Sequence, residues 1–227
     1  MDNVQKKIIA VGGGGFTHKS DAKLDKFIID QCLKAKIKFG FLPTASMDSV
    51  EKIDLFYKEL GQYNLELSHF ELCSNTNGFS NWLFEKDIVY VGGGNTNQML
   101  KIWEEKKLKK IFVKAYESGI ILSGVSAGAV CWFDWILTDS IGPDYNTLRG
   151  INLISGSCTP HSSEKKRMDK FKIDIKNNIL PPGIAIDDGV AVLFINGRVK
   201  EVCSSRKNKD AYFIDKNNKI SLKEYIN

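Results

Sequence analysis

One stretch limits the folds open to this chain more than any other: residues 119–130, GIILSGVSAGAV. A short apolar run at 120–122 leads directly into Gly124-Val125-Ser126-Ala127-Gly128. A buried strand that ends in Gly-x-Ser-x-Gly is the pattern of a nucleophile elbow. The serine sits in a sharp strand-to-helix bend, and small residues on either side let strand and helix pass close to each other. Ser126 would then lie at a helix N-terminus, where free N–H groups and the helix dipole favour developing negative charge. The plain alternative is a Gly/Ser turn in which Ser126 only caps a helix.

The segments around this stretch repeat its form. Residues 7–11 (KIIAV), 37–42, 65–72 and 87–91 (DIVYV) read as short apolar strands, separated by amphipathic helical segments at about 20–36, 47–60, 95–103 and 108–117. Ser20 or Asp21 is expected to cap the first helix, and Asn95 or Thr96 the one after the fourth strand. Such alternation implies a mostly parallel, doubly wound α/β sheet covered on both faces. Beyond the elbow helix, which is taken to include Asp134, residues 138–149 look loop-like. A charged helix is expected at 164–177. Strands are expected at 184–186, 190–195, 198–202 and 211–214, with Asn196-Gly197 as a hairpin turn. The chain ends, on this reading, in a small antiparallel edge.

Length and composition narrow the class. A chain of 227 residues without a linker or internal repeat is expected to form one α/β domain, residues 1–227. No apolar run approaches the ~20 residues that span a bilayer, and residues 1–7 do not resemble a secretory signal; a cytoplasmic, membrane-free protein is expected. Five widely spaced cysteines with no Cys-x-x-Cys suggest reduced thiols rather than a disulfide framework or zinc knuckle. The net charge of +5 is spread along the chain. Its densest group, 106–110 (KKLKK), reads as a solvated helix face, so no nucleic-acid partner is expected. The glycine tract 12–15 follows the first strand but lacks the Gly-x-Gly-x-x-Gly spacing of a dinucleotide loop. Close approach of its backbone to another loop or to a substrate is the simpler account.

A serine nucleophile needs a base, and the base needs an orienting carboxylate. The chain has three histidines. His69 lies in an alternating strand and His18 in the glycine loop. His161, in a proline-fixed loop downstream of the serine, is assigned as the base, with His18 next. The acid is open among Asp139, Glu164, Asp187 and Asp188; Asp134 reads as a helix-face residue. Of two oxyanion donors, one would be the backbone N–H of Ala127. The other would come from the glycine loop 92–94.

Taken together, residues 91–96 (VGGGNT), 124–129 (GVSAGA) and Pro160-His161 resemble the peptidase E family of serine peptidases, which includes cyanophycinases. The likeness runs from the first strand to about residue 192. It implies a flavodoxin-like or class I glutamine-amidotransferase-like fold, a Ser126–His161 pair, and an oxyanion held by the N–H groups of Gly94 and Ala127. It points to Asp139 as the acid, and to small peptides, including those with N-terminal aspartate, as substrates. A basic residue would line the side-chain pocket; Arg149, Arg167 and Arg198 are available. No cofactor or metal is expected, and a homodimer is the expected assembly. The rival readings are an α/β-hydrolase esterase, whose histidine comes near the chain end, and a non-catalytic ligand-binding domain that keeps the elbow as structure.

Overall fold

The computed structural model describes residues 4–225. Its strands in chain order are β1 (Lys7–Val11), β2 (Ile37–Leu42), β3 (Leu65–His69), β4 (Ile88–Val91), β5 (Ile121–Val125), β6 (Phe133–Thr138), β7 (Asn146–Arg149), β8 (Ile154–Thr159), β9 (Gly183–Ile186), β10 (Val190–Ile195), β11 (Arg198–Ser204), β12 (Ala211–Ile214) and β13 (Lys219–Ser221). Its α-helices are α1 (Ala22–Ile29), α2 (Val50–Leu60), α3 (Phe79–Phe84), α4 (Thr96–Glu105), α5 (Lys109–Glu117), α6 (Ala127–Val130), α7 (Lys165–Lys176) and α8 (Leu222–Tyr225).

Two sheets form. The first runs β11-β10-β1-β5-β4-β2-β3. Its five strands from β1 to β3 are mutually parallel, whereas β10 and β11 are antiparallel. The expected C-terminal antiparallel edge is therefore the β10–β11 hairpin. Asn196 and Gly197 both take positive φ there, 52° and 77°, as a tight right-twisted hairpin turn requires. The second sheet, β13-β12-β9-β8-β6-β7, lies outside the sequence expectation.

Strand alternation explains how the layers assemble. On β1, Ile9 and Val11 face a cluster completed by Phe39, Phe41, Tyr90, Leu24 and Ile28 of α1, and Phe56 of α2. Ile8 and Ala10 face the opposite way, into a larger cluster with Trp103 of α4, Phe112 of α5, Trp132, and Ile136 of the second sheet. Both faces of the central strands are thus buried, which is why they read as continuous apolar runs. Helix α7 closes the far side of the second sheet through Met168, Phe171 and Ile175. No helix among the described residues is long and apolar enough to cross a membrane.

The stretch 138–149, expected to be loop-like, contains strand β7, and the expectations for Asp134 and Asp21 change as well. The elbow helix is only four residues long, and the chain returns at once to strand β6, so Asp134 is a strand residue rather than a helix-face residue. Its Oδ1 accepts from Arg149 Nη1 at 2.6 Å across the β6–β7 pair. Asp21 has φ 57° and makes no capping hydrogen bond to α1. Its carboxylate instead accepts from Arg206 Nε at 2.9 Å and Nη2 at 2.6 Å.

Candidate active site

In open α/β sheets, ligands bind beyond the carboxyl ends of the parallel strands. There the residues 12–15, 44–46, 92–94 and Ser126 meet, following β1, β2, β4 and β5 respectively. Ser126 has φ 54° and ψ −112°, a conformation that an L-residue adopts only when its surroundings impose it. Its N–H donates to Val11 O at 2.9 Å, and its carbonyl accepts from Ala129 and Val130, starting α6. The flanking glycines are needed sterically. An added Cβ at Gly124 would meet Val91 O at 2.6 Å, and one at Gly128 would overlap the same carbonyl. These contacts pin the turn and leave the serine side chain at its apex.

The base comes from the other sheet. His161 follows β8, with φ 51°. Its loop is fastened to the end of β9 by Ser162 N–H donating to Ile186 O at 3.0 Å. His161 Nε2 lies 2.9 Å from Ser126 Oγ, and Nδ1 lies 2.5 Å from Asp188 Oδ1. A carboxylate can only accept, so Nδ1 carries the proton and Nε2 is left to accept from the serine hydroxyl. The hydrogen bond from His161 holds the Asp188 carboxyl below its ordinary value of 3.8, against the opposing effect of burial.

Asp188 sits where the chain passes from β9 in the second sheet to β10 in the first. The glycine tract after β1 supports this link. Gly189 N–H donates to Gly13 O at 2.7 Å, and Gly12 N–H donates to Val190 O at 3.0 Å. A Cβ on Gly13 would overlap the Asp188 carboxylate and come within 3.0 Å of His161 Nδ1. The tract is glycine because its backbone lies directly against this hydrogen-bonded chain.

The acid expected from the resemblance is thus not the residue joined to the histidine. Asp139 instead accepts from Arg167 Nη2 at 2.7 Å. Glu164 approaches Arg167 Nε at 3.5 Å and accepts from Tyr145 Oη. Asp187 is buried, with its carboxylate accepting from Ser162 Oγ at 2.7 Å and Asp210 N–H at 3.2 Å. His18 and His69 also lie off the chain: His18 Nδ1 contacts Thr17 Oγ1 and Gly14 O, and His69 Nδ1 contacts Tyr57 Oη at 2.8 Å.

The glycine loop 92–94 adjoins the serine, since a Cβ on Gly93 would stand 3.4 Å from Ser126 Cβ. Gly94 has φ 146°, and a side chain there would overlap Ala45 O. Asn95 N–H donates to that carbonyl at 2.7 Å, while Asn95 Oδ1 caps α4 by accepting from Gln98 N–H at 2.8 Å. Ala127 opens α6, so its N–H is a first-turn donor with no acceptor inside the helix. A cleft of about 240 Å³ opens over these groups. Gly94, Ser126, Thr138, Asp139, His161 and Arg167 are among its lining residues. Among the described residues, no group of three or more His, Cys, Asp or Glu is arranged to hold a metal ion.

Comparison with known proteins gives the family and the fold. The profile of peptidase family S51 matches residues 8–202. The chain belongs to peptidase family S51. It is accordingly a peptidase of the serine type, and the resemblance to the peptidase E family holds. The uncharacterized peptidase YgaJ of Bacillus subtilis (strain 168) is 39% identical over 210 residues, covering 91% of each chain. Two solved structures share the fold. A peptidase from an acI-B1 Actinobacterium superposes with a TM-score of 0.71 at 18% identity, covering 96% of this chain and 97% of that one. A putative peptidase E protein from Listeria monocytogenes EGD-e gives 0.65 at 17% identity, covering 88% and 98%.

Proposed function

We propose that this family S51 peptidase hydrolyses small peptides through an acyl-enzyme, with Ser126 as nucleophile, His161 as general base and Asp188 as the orienting acid. The observation that carries the reading is the continuous hydrogen-bonded chain from Ser126 Oγ through the imidazole to Asp188 Oδ1. Its three members lie on separate segments, so local chain geometry alone does not account for the alignment. His161 takes the serine proton as Oγ attacks the carbonyl carbon, then passes it to the departing amine. Water repeats the sequence in the second half, releasing the acid and restoring the serine. Asp188 holds the tautomer and stabilises the imidazolium that forms. The N–H groups of Gly94 and Ala127 receive the oxyanion.

Small substrates fit the cleft. Its volume of about 240 Å³ lies below the ~300–1,000 Å³ usual for drug-sized ligands, so it accommodates a residue or two rather than a folded chain. An N-terminal aspartate would need a cation there, and Arg167 is the one lysine or arginine among the cleft-lining residues. Asp139 and Glu164 engage two of its five N–H donors. Its remaining donors could receive a substrate carboxylate.

Ser126→Ala tests the reading directly. Dipeptide hydrolysis and labelling by a fluorophosphonate should both be lost, with the unfolding transition unchanged. Labelling without peptide hydrolysis, together with turnover of simple acyl esters, would instead favour the esterase reading.

A further inference from the structure

Asp188 owes its place to the residues that hold its backbone. Its side chain is 36% exposed, so packing does little to aim it, and the turn at Gly189 sets the direction of the carboxylate. Gly189 has φ 77° and is gripped on both sides. Its N–H donates to Gly13 O at 2.7 Å, and its carbonyl accepts from Ser205 N–H at 2.9 Å. The side chain of Arg206 lies across it: a Cβ on Gly189 would stand 2.7 Å from both Arg206 Cγ and Cδ. The guanidinium then reaches the loop after β1, donating from Nε and Nη2 to the two carboxylate oxygens of Asp21. Ser205 Oγ is within hydrogen-bond distance of both Asp21 Oδ1 and Gly189 O. The Asp21 side chain, 7% exposed, abuts the glycine tract in turn, since a Cβ on Gly14 would stand 2.5 Å from its Oδ2. A ring therefore closes around the residue that follows the acid, running from the glycine tract through Gly189, Ser205, Arg206 and Asp21 back to the tract.

We propose that Arg206, clasped by Asp21, is a positioning residue that acts on the reaction through Asp188, holding that acid in line with His161. The proposal rests on the reading of Asp188 as the orienting acid. Geometry sets the pair apart from an ordinary surface ion pair. Two donors on two carboxylate oxygens fix the guanidinium in one plane. The stem fixed in this way is the part of the side chain that touches Gly189. The glycine tract, against which Asp21 packs, is also the segment that lies against the hydrogen-bonded chain, Gly13 facing both the Asp188 carboxylate and His161 Nδ1. Charge acts in the same sense. The Asp188 carboxyl is held low first by the His161 hydrogen bond and then, against burial, by the charges of His161, Arg206 and His18. The guanidinium thus favours the ionised form that accepts from Nδ1.

The test is a double-mutant cycle that combines D188N with R206M and with R206K. Methionine keeps a stem over Gly189 without a donor for Asp21; lysine keeps the charge and loses the planar fork. The readouts are kcat and KM on a peptide the enzyme turns over and the rate of fluorophosphonate labelling, with the unfolding transition followed in parallel. R206M should lower kcat and the labelling rate by about 10- to 100-fold, the scale of a misplacement of about an ångström, with KM little changed. R206K should recover part of the loss, and it carries the same cycle should R206M fail to fold. In the D188N background either substitution should cost less than about 2-fold, because the group it positions no longer functions. A loss of the same size in both backgrounds would overturn the positioning role, as would an unchanged kcat or a loss confined to KM. D188N that labels at the unsubstituted rate would overturn the reading of Asp188 itself, and the proposal with it.

Discussion

Asp25 is a carboxylic acid that folding forces against its ordinary chemistry. It lies on α1, is 6% exposed, and accepts from Phe16 N–H at 3.1 Å just after the glycine tract. Burial is the main cause that pushes its pKa from 3.8 up to about 7; the Phe16 hydrogen bond opposes the rise, and Asp21 and Glu59 reinforce it. Because the folded value lies above the unfolded one, the native state holds an extra proton between them. Stability therefore falls as pH rises from about 4 to about 7, and levels off beyond. A gap of about 3 pH units at 1.36 kcal/mol each gives a cost of about 4 kcal/mol above pH 7, and about 1.5 kcal/mol at pH 5. Asp25→Asn removes the ionisation and keeps an oxygen to accept from Phe16. It should stabilise the protein by about 4 kcal/mol at pH 8 and by about 1.5 kcal/mol at pH 5. Urea unfolding from pH 5 to pH 8 measures both. A stability difference that does not change with pH would refute the reasoning, since volume and packing effects do not titrate.

Two further outcomes follow from the site. Asp188→Asn would present an amide to His161 Nδ1 and favour the wrong tautomer; kcat should fall by about 10³–10⁴ with little change in KM, measured on any peptide the enzyme turns over. Arg206→Ala removes the partner that brings Asp21 down to about 2. Between roughly pH 4 and 8 it should cost about 1–2 kcal/mol, a figure kept low because the guanidinium is partly exposed; in urea unfolding the loss should fade as pH drops toward 2. The same variant uncovers Gly189, against which the Arg206 side chain packs, so kcat should also decline.

The parallel core was legible because burial on both faces leaves little room for polar residues. KIIAV and DIVYV could hardly be anything else, and the glycines that end them marked the rim where the site lies. The second sheet was hidden by the residues after Ser126. In AGAVCWFDWIL, apolar side chains occur without a period, because helix α6 stops after one turn and strand β6 begins after only two intervening residues. Strands β7 (NTLR) and β13 (KIS) are short, polar edges with no apolar alternation to reveal them. The histidine could be chosen because only three were available. The acid could not be chosen on the same grounds. Asp139 and Asp188 are equally plausible by type, and what separates them is a sheet-to-sheet link 27 residues past His161 together with a glycine tract near the N-terminus. Such long-range pairing leaves no trace in local pattern. The Asp21 cap failed for a similar reason, since its partner Arg206 is 185 residues away.

The origin of the three hydrogen-bonded groups bears on when, under the proposed mechanism, the chain would gain activity. The alcohol rides on the first sheet, the imidazole on the second, and the carboxylate on the strand-to-strand passage that precedes β10. In the finished fold that last strand lies beside β1, antiparallel to it. A nascent chain that has folded only its opening parallel strands would carry a bent serine with no proton acceptor beside it. Proteolytic competence would then arrive late and all at once, when the two layers close on each other, so the appearance of fluorophosphonate reactivity during refolding doubles as a clock for their docking.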